Sequence, residues 1–256
     1  MNEEIPKNQD FVRIEILDNI ATLHLDSPPG NLLPVPEFFP AAGLIRLQKS
    51  GAIKGIIIRG SGKNFSAGGD VAAILKMAGS GEPLEHELEA GHKLLDTITS
   101  LDIPVVAAID RVCFGGGLEI ALACHIRVAS ENALLAFPET NLNLMPGMGG
   151  TVRLASTCGN AGAIAMILQG DTLTAREALE LKIIDHVAPR DDAWSFSMKL
   201  LKRMTEGRPL HVIRAVMTAL ANSRKLSAAE AMKEEIRLFC ELARREAARR
   251  AGEDSV

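Results

Sequence analysis

Apolar and polar residues alternate over residues 11–17 and again over Ile20–Leu25, with Asp18-Asn19 between them. A period of two predicts two half-buried strands joined by a tight turn. Pro28, Pro29, Gly30 and Asn31 break the alternation and predict a loop. Residues 37–49 and 84–101 read as helices, while 55–59 and 104–109 are continuous apolar runs, the pattern of strands covered on both faces. Strands alternating with helices predict an α/β architecture with crossover connections. Beyond residue 170 the pattern turns helical, over 172–181, 191–204 and 228–251. The last of these carries Met232, Ile236, Cys240, Ala243 and Ala247 as a stripe at helical spacing. Its arginines 244, 245, 249 and 250 are interleaved with Glu241 and Glu246, which predicts a solvated helix face rather than a nucleic-acid contact. No internal repeat of 20–50 residues and no low-complexity linker is visible.

Composition narrows the function classes. The 256 residues are 47% apolar and 23% charged, which suits a folded globular chain with a sizeable core. Twenty-eight Lys and Arg against 32 Asp and Glu give a net charge of −4, so there is no electrostatic case for nucleic acid or an acidic membrane. Aromatic residues are 4% with no tyrosine, which removes stacking platforms for single-stranded nucleic acid. No apolar run approaches the ~20 residues of a membrane span, and the start, Met1 to Pro6, is acidic and polar, unlike a signal peptide. Cys113, Cys124, Cys158 and Cys240 show no Cys-x-x-Cys spacing and predict free thiols in a reducing, cytoplasmic setting.

The glycines cluster. Ten of the 22 fall in three short segments, at 60, 62, 68 and 69, at 115–117, and at 147, 149 and 150. Each lies between a strand-like and a helix-like run, where glycine serves either a tight turn or close approach to a ligand. In the second segment a strand leads through Gly115-Gly116-Gly117 into a helix whose first N–H groups are free and whose dipole favours negative charge. Neither the Gly-Lys-Ser/Thr of a phosphate loop nor Gly-x-Gly-x-x-Gly at the first strand–helix turn is present. That weakens a nucleotide reading and strengthens a developing oxyanion.

Three segments together resemble the fingerprints of the crotonase family, the enoyl-CoA hydratases, isomerases and their relatives. They are Phe65-Ser66-Ala67-Gly68-Gly69-Asp70, then 104–108 followed by Gly115 to Glu119, then the run from Phe137-Pro138-Glu139 through Pro146-Gly147 to Leu154. Residues 170–178 and 184–187 resemble the region after the core, so the likeness spans most of the chain. The resemblance implies a spiral of β-β-α turns forming two roughly perpendicular sheets, with residues 1–190 as the core and 191–256 as a C-terminal helical region making trimer contacts. It implies an acyl-CoA thioester as partner, bound along Ser66, Ala67, Gly68, Gly69, Asp70, Gly115 and Gly116, and a homotrimer or a dimer of trimers. It implies no metal and no cofactor beyond the CoA of the substrate.

By motif matching, the backbone N–H groups of Gly69 and Gly116 hold the thioester oxygen, and that of Gly147 helps hold a water. Hydratases of the family carry glutamates at the positions of Glu119 and Glu139. Adding water across a double bond needs one group to deprotonate water and another to protonate Cα. Two close carboxyls in a poorly solvated pocket share a proton. The matching assigns Glu119 as base and Glu139 as acid, and the activity as hydration of a trans-2-enoyl-CoA. Other reactions of the family, by an isomerase, a specialised dehydratase or a hydrolase, use the same oxyanion site. A non-catalytic acyl-CoA-binding subunit keeps the glycines without needing both glutamates.

The chain departs from the family pattern in places. Asn143 stands where glycine is usual and is expected to narrow or reshape the acyl pocket. Residues 110–114 form an unusual turn before the glycine triplet, and His125 replaces an aspartate, where it is expected to meet the dipole at the end of its helix. Gly30-Asn31-Leu32 weakly resembles a loop that flanks CoA. Asp70 reads as a helix N-cap. Cys113 is the one thiol beside the triplet, and no histidine accompanies it in sequence.

Overall fold

The computed structural model describes residues 11–81 and 83–253; the polar start of the chain, residues 1–10, lies outside them. Strands β1 (Val12–Leu17) and β2 (Ile20–Leu25) pair antiparallel, Leu17 opposite Ile20. Asp18 and Asn19 take φ of 53° and 60°, the left-handed pair a two-residue hairpin requires and these residue types tolerate. Helix α1 (Ala41–Lys49) starts four residues later than the spacing predicts. Pro40 holds the extended cap position, and the Glu37 carboxylate accepts from the Ala41 N–H at 3.1 Å. Strand β3 (Gly55–Gly60) follows, then α2 (Val71–Ser80), α3 (Leu84–Ser100), β4 (Val105–Ile109), β5 (Val112–Phe114) and α4 (Gly116–Ala123). After these come β6 (Ile126–Ser130), β7 (Leu134–Ala136), a 3-10 turn (Pro138–Leu142) and α5 (Gly150–Gln169), which is broken at Gly159.

Residues 172–181 are not one helix. Leu173–Thr174 form β8, paired antiparallel with β7, and α6 (Ala175–Glu180) begins only after a capping box between Thr174 and Glu177. Strand β9 (His186–Ala188) precedes α7 (Ala193–Thr205), α8 (Leu210–Lys225) and α9 (Ala228–Glu253). Helix α8 fills a stretch that the sequence reading left unassigned, and only Ile213 on it is buried.

The larger sheet runs β1-β2-β3-β4-β6-β9, parallel from β2 onward, and the smaller runs β5-β7-β8. Two isolated bridges, Leu33 with Gly69 and Ser66 with Cys113, extend the smaller sheet toward the N-terminus. The chain therefore repeats one move: a strand in the large sheet, a segment in the small sheet, then a helix. β4-β5-α4 is one turn, and β6-β7 with the 3-10 turn and α5 is the next. This is the expected spiral of β-β-α turns. Every residue of α4 is buried, inside a core that joins both sheets to α1 and α3. Helix α7 packs on the large sheet, with Ile57, Val106, Val128, Met198 and Leu201 forming a second core. Each such fully buried aliphatic side chain contributes ~1.5–3 kcal/mol relative to exposure. Helix α9 packs mainly on α8 and leaves Met232, Ile236 and Phe239 exposed. Among the described residues no helix is long and apolar enough to cross a membrane.

Candidate active site

Strand register builds the site. Ser66 bridges Cys113 in parallel, so the residues three further along, Gly69 and Gly116, come side by side. A Cβ on Gly116 would lie 3.5 Å from the Gly69 nitrogen. Among the described residues no hydrogen bond takes up the N–H of either glycine: Gly69 lies beyond the bridge, and Gly116 opens α4. Both line a cavity of about 260 Å³. The next strand sets the third component. Phe114 pairs with Ala136, and two residues past Phe137 the Glu139 carboxylate comes to rest over Gly115. Gly115 has φ +49°, and a Cβ there would meet Glu139 Oε1 at 2.7 Å, so position 115 requires glycine twice over.

Glu119, on the first turn of α4, is 2% exposed. Its Oε1 accepts the N–H of Met148 and of Gly150, each at 2.7 Å. Burial raises its pKa, while those two donors and the charges of Arg153 and His92 act the other way. Glu139, on the 3-10 turn, is half-buried, and its Oε2 has no hydrogen-bond partner among the described residues. Burial, and then the charge of Glu119, push its carboxyl up to about 7. The two acids thus differ in kind. Glu119 is solvated by fixed backbone dipoles that favour the carboxylate. Glu139 has only its own backbone N–H in that role, with no donor on Oε2 among the described residues, and holds its proton near neutrality. The rest of the cavity wall is aliphatic or thioether, from Leu33, Pro36, Val71, Ile74, Leu88 and Met148 among others.

Of the residues singled out in sequence, Ala67, Gly68, Gly69, Gly115, Gly116, Glu119, Glu139 and Gly147 all line this cavity. Ser66 and Asp70 do not. The fully buried Ser66 hydroxyl donates to the Asn31 carbonyl and accepts from the Gly68 N–H, pinning the loop. Asp70 caps α2 by accepting from the Ala73 N–H at 3.0 Å. Asn31 is buried, and its side-chain amide donates to the carbonyls of Ser61 and Asn64, so it ties two loops together. The Met148 and Gly150 donors escape sequence reasoning, which pointed to the neighbouring Gly147 N–H, because only the conformation of the turn decides which N–H groups face Glu119. The spacing of Gly147, Gly149 and Gly150 was the signal available: a Cβ at 150 would lie 2.9 Å from Glu119 Oε1.

Two departures behave differently from expectation. Asn143 does not narrow the pocket. It is exposed and lies outside the cavity wall, in the left-handed conformation (φ 59°) that ends the 3-10 turn, which asparagine tolerates in place of glycine. His125 does not meet the dipole of its own helix as a cation. Its Nδ1 accepts from the Val105 N–H at 3.0 Å, and its Nε2 lies 3.3 Å from the Thr99 carbonyl in the last turn of α3. Burial lowers its pKa to about 4, so it is a neutral core residue. The 110–114 turn is accounted for by its contacts. Arg111 has φ 52° and pairs with Asp191 at 3.0 Å, and the Asp110 carboxylate accepts from the Ala193 N–H at the start of α7. All four cysteines are free thiols; burial holds the Cys113 thiol well above its ordinary value and raises Cys124 to about 12. Among the described residues no group of three or more His, Cys, Asp or Glu is placed to hold a metal ion.

Comparison with known proteins bears on the family and the fold. The sequence model of the enoyl-CoA hydratase/isomerase family matches residues 18–254. A "probable enoyl-CoA hydratase" of Bacillus subtilis (strain 168) is 36% identical over 175 residues, covering 68% of this chain and 67% of that protein. The crystal structure of an enoyl-CoA hydratase from Geobacillus kaustophilus HTA426 superposes with a TM-score of 0.84 at 26% identity, over 92% of this chain and 89% of that one. That of the enoyl-CoA hydratase from Bacillus anthracis gives 0.81 at 23% identity, over 96% and 97%, a likeness of fold.

Proposed function

The chain belongs to the enoyl-CoA hydratase/isomerase family, and we propose that within it the protein is an enoyl-CoA hydratase, adding water reversibly and syn to a trans-2-enoyl-CoA. The thioester oxygen accepts from the N–H groups of Gly69 and Gly116, which sit side by side and unpaired on the cavity wall. Water attacks Cβ and gives a proton to the free oxygen of Glu119. The π electrons move onto the thioester oxygen, where preorganised donors stabilise the enolate, a contribution of ~3 kcal/mol per donor in comparable sites. Glu139 then delivers its proton to Cα, and the product is a 3-hydroxyacyl-CoA. Glu119 ends protonated and Glu139 ionised, and one proton passing between the pair, directly or through solvent, resets the site. The Gly147 N–H, on the same wall, helps hold the water. CoA enters as part of the substrate, and the steps call on no metal or redox cofactor. The C-terminal helices, with the exposed face of α9, support assembly as a trimer or a dimer of trimers.

The observation that carries this reading is the pair of carboxyls in one aliphatic cavity, one cradled by backbone donors and one protonated near neutrality. An isomerase moves a proton with one base, and an acyl-CoA-binding subunit needs neither acid. Glu119→Gln and Glu139→Gln are each expected to lower kcat ~10²–10⁴-fold while acyl-CoA affinity is retained. The double variant should lose far less than the product of the two, because the groups act in one transition state. One variant nearly dead beside one mildly affected would support the isomerase.

A further inference from the structure

Arg153 lies outside the cavity wall, yet its contacts converge on the groups that hold Glu119. From the first turn of α5, its Nη1 donates to the Met148 carbonyl at 2.7 Å, and its Nη2 to the Asp96 carboxylate on α3 at 2.7 Å. The side chain is 15% exposed. The backbone it grips is the stretch whose N–H groups at Met148 and Gly150 cradle Glu119. The sequence makes room for this grip. Gly149 has φ +93°, and a Cβ there would lie 2.4 Å from Arg153 Nη1, so any side chain at 149 would evict the guanidinium. Arg153 also anchors the turn through its own N–H, which donates to the Gly149 carbonyl at 2.9 Å.

We propose that Arg153, fixed by Asp96, is a positioning residue that folds residues 148–150 into the cradle aiming Glu119 at the substrate. The inference rests on Glu119 being the base. Three ionisable groups act on that carboxylate, His92 from α3, Arg153 from α5 and Glu139 from the 3-10 turn, and Asp96 on α3 pairs with Arg153. Of these Arg153 combines a charge favouring the carboxylate with a hold on the peptide units that bond it. A fork-shaped guanidinium spans carbonyl and carboxylate together; a lysine supplies charge from a single point.

The test compares Arg153→Gln and Arg153→Lys with wild type by steady-state kinetics across pH. In parallel, the Glu119 carboxyl is titrated by ¹³C NMR in glutamate-labelled protein, its signal assigned by its loss in Glu119→Gln. With Arg153→Gln, kcat is expected to fall ~100-fold, as for a small misplacement of a reacting group, with KM nearly unchanged. Glu119 should titrate higher once the opposing charge is gone, carrying the acid limb of the rate profile up with it. Arg153→Lys should keep the titration near wild type and still lose kcat, because the charge stays while the grip is weakened. The Lys variant alone decides the matter if the Gln variant does not fold, since unchanged kcat there overturns the inference. An Arg153→Gln protein whose Glu119 titrates as in wild type, or whose loss lies in KM alone, also overturns it. Wild type without hydration activity would remove the reading of Glu119 as base, while the NMR titration would still decide the hold of Arg153 on the cradle.

Discussion

Two glutamates of the same chemistry are made different by what surrounds their oxygens. Glu119 receives two backbone N–H groups, whereas Glu139 has a buried Oε2 without a partner among the described residues and a carboxyl pushed up to about 7. A site that must both take and give a proton at neutral pH needs this asymmetry. It has a consequence for pH dependence. The rate should fall as pH rises through about 7, where Glu139 loses the proton it delivers. It should also fall at low pH, where Glu119 is protonated, the two limbs belonging to the pair. Stability follows the same sign. A carboxyl whose folded pKa lies above its unfolded value binds protons on folding, so stability is lost as pH rises from the ordinary carboxylate range to about 7. Thermal unfolding of Glu139→Gln at pH 8 should show a gain on the order of 1 kcal/mol, reduced by screening at the half-exposed edge, and no gain at pH 4. Both glutamates were singled out by their places in the fingerprints, Glu119 two residues past the glycine triplet and Glu139 after Phe137-Pro138. The Met148 and Gly150 donors were not, since motif matching pointed to Gly147 and only the folded turn shows which N–H groups face Glu119. His125 was misread because its partners, Val105 and Thr99, are distant in sequence and only the fold buries it.

At the scale of elements, the site comes from three successive turns of the spiral in register: Gly69 past the Ser66 bridge, Gly116 past β5, and Glu139 past β7. Short strands of three residues carry this register, and their length explains why spacing exposed the long strands of the large sheet but not the small sheet. The same limit applied at 173–174, where two residues leave the helical pattern to pair with β7. Gly115 is the hinge of the arrangement. Gly115→Ala would place a Cβ in a left-handed backbone and 2.7 Å from Glu139 Oε1. It is expected to cost at least ~1 kcal/mol of stability from the backbone alone and to displace the acid, lowering kcat more than Cys113→Ala does. Chemical denaturation and steady-state rates of the two variants check this. Cys113 is fully buried, with a thiol held well above its ordinary pKa and so disfavoured as a thiolate, and Cys113→Ala is expected to keep most activity.

Over the whole molecule, the two cores bury most of the large apolar side chains within the chain, but apolar faces stay open on α5, at Val152, Ile164 and Leu168, and on α9. Met232, Ile236 and Phe239 remain 65–70% exposed at helical spacing. An apolar face of this kind must be covered by another surface. The stripe through Met232 and Ile236, together with the resemblance, leads to the expectation of trimer contacts here; Phe239, outside that stripe, shares the exposed face. If the face joins copies of the chain, Ile236→Glu and Phe239→Glu should convert a trimer or hexamer into smaller species by light scattering at micromolar concentration. A wild-type chain that is monomeric under those conditions would remove the assembly from the account.

The central claim is that solvent water becomes part of the product. Turnover of a trans-2-enoyl-CoA in oxygen-18-labelled water, followed by mass spectrometry of the acyl-CoA, tests it directly. The expected product is a 3-hydroxyacyl-CoA carrying one solvent-derived oxygen at C3, formed by wild type and strongly suppressed in Glu119→Gln. Turnover that shifts the double bond or releases free CoA without label at C3 would contradict it.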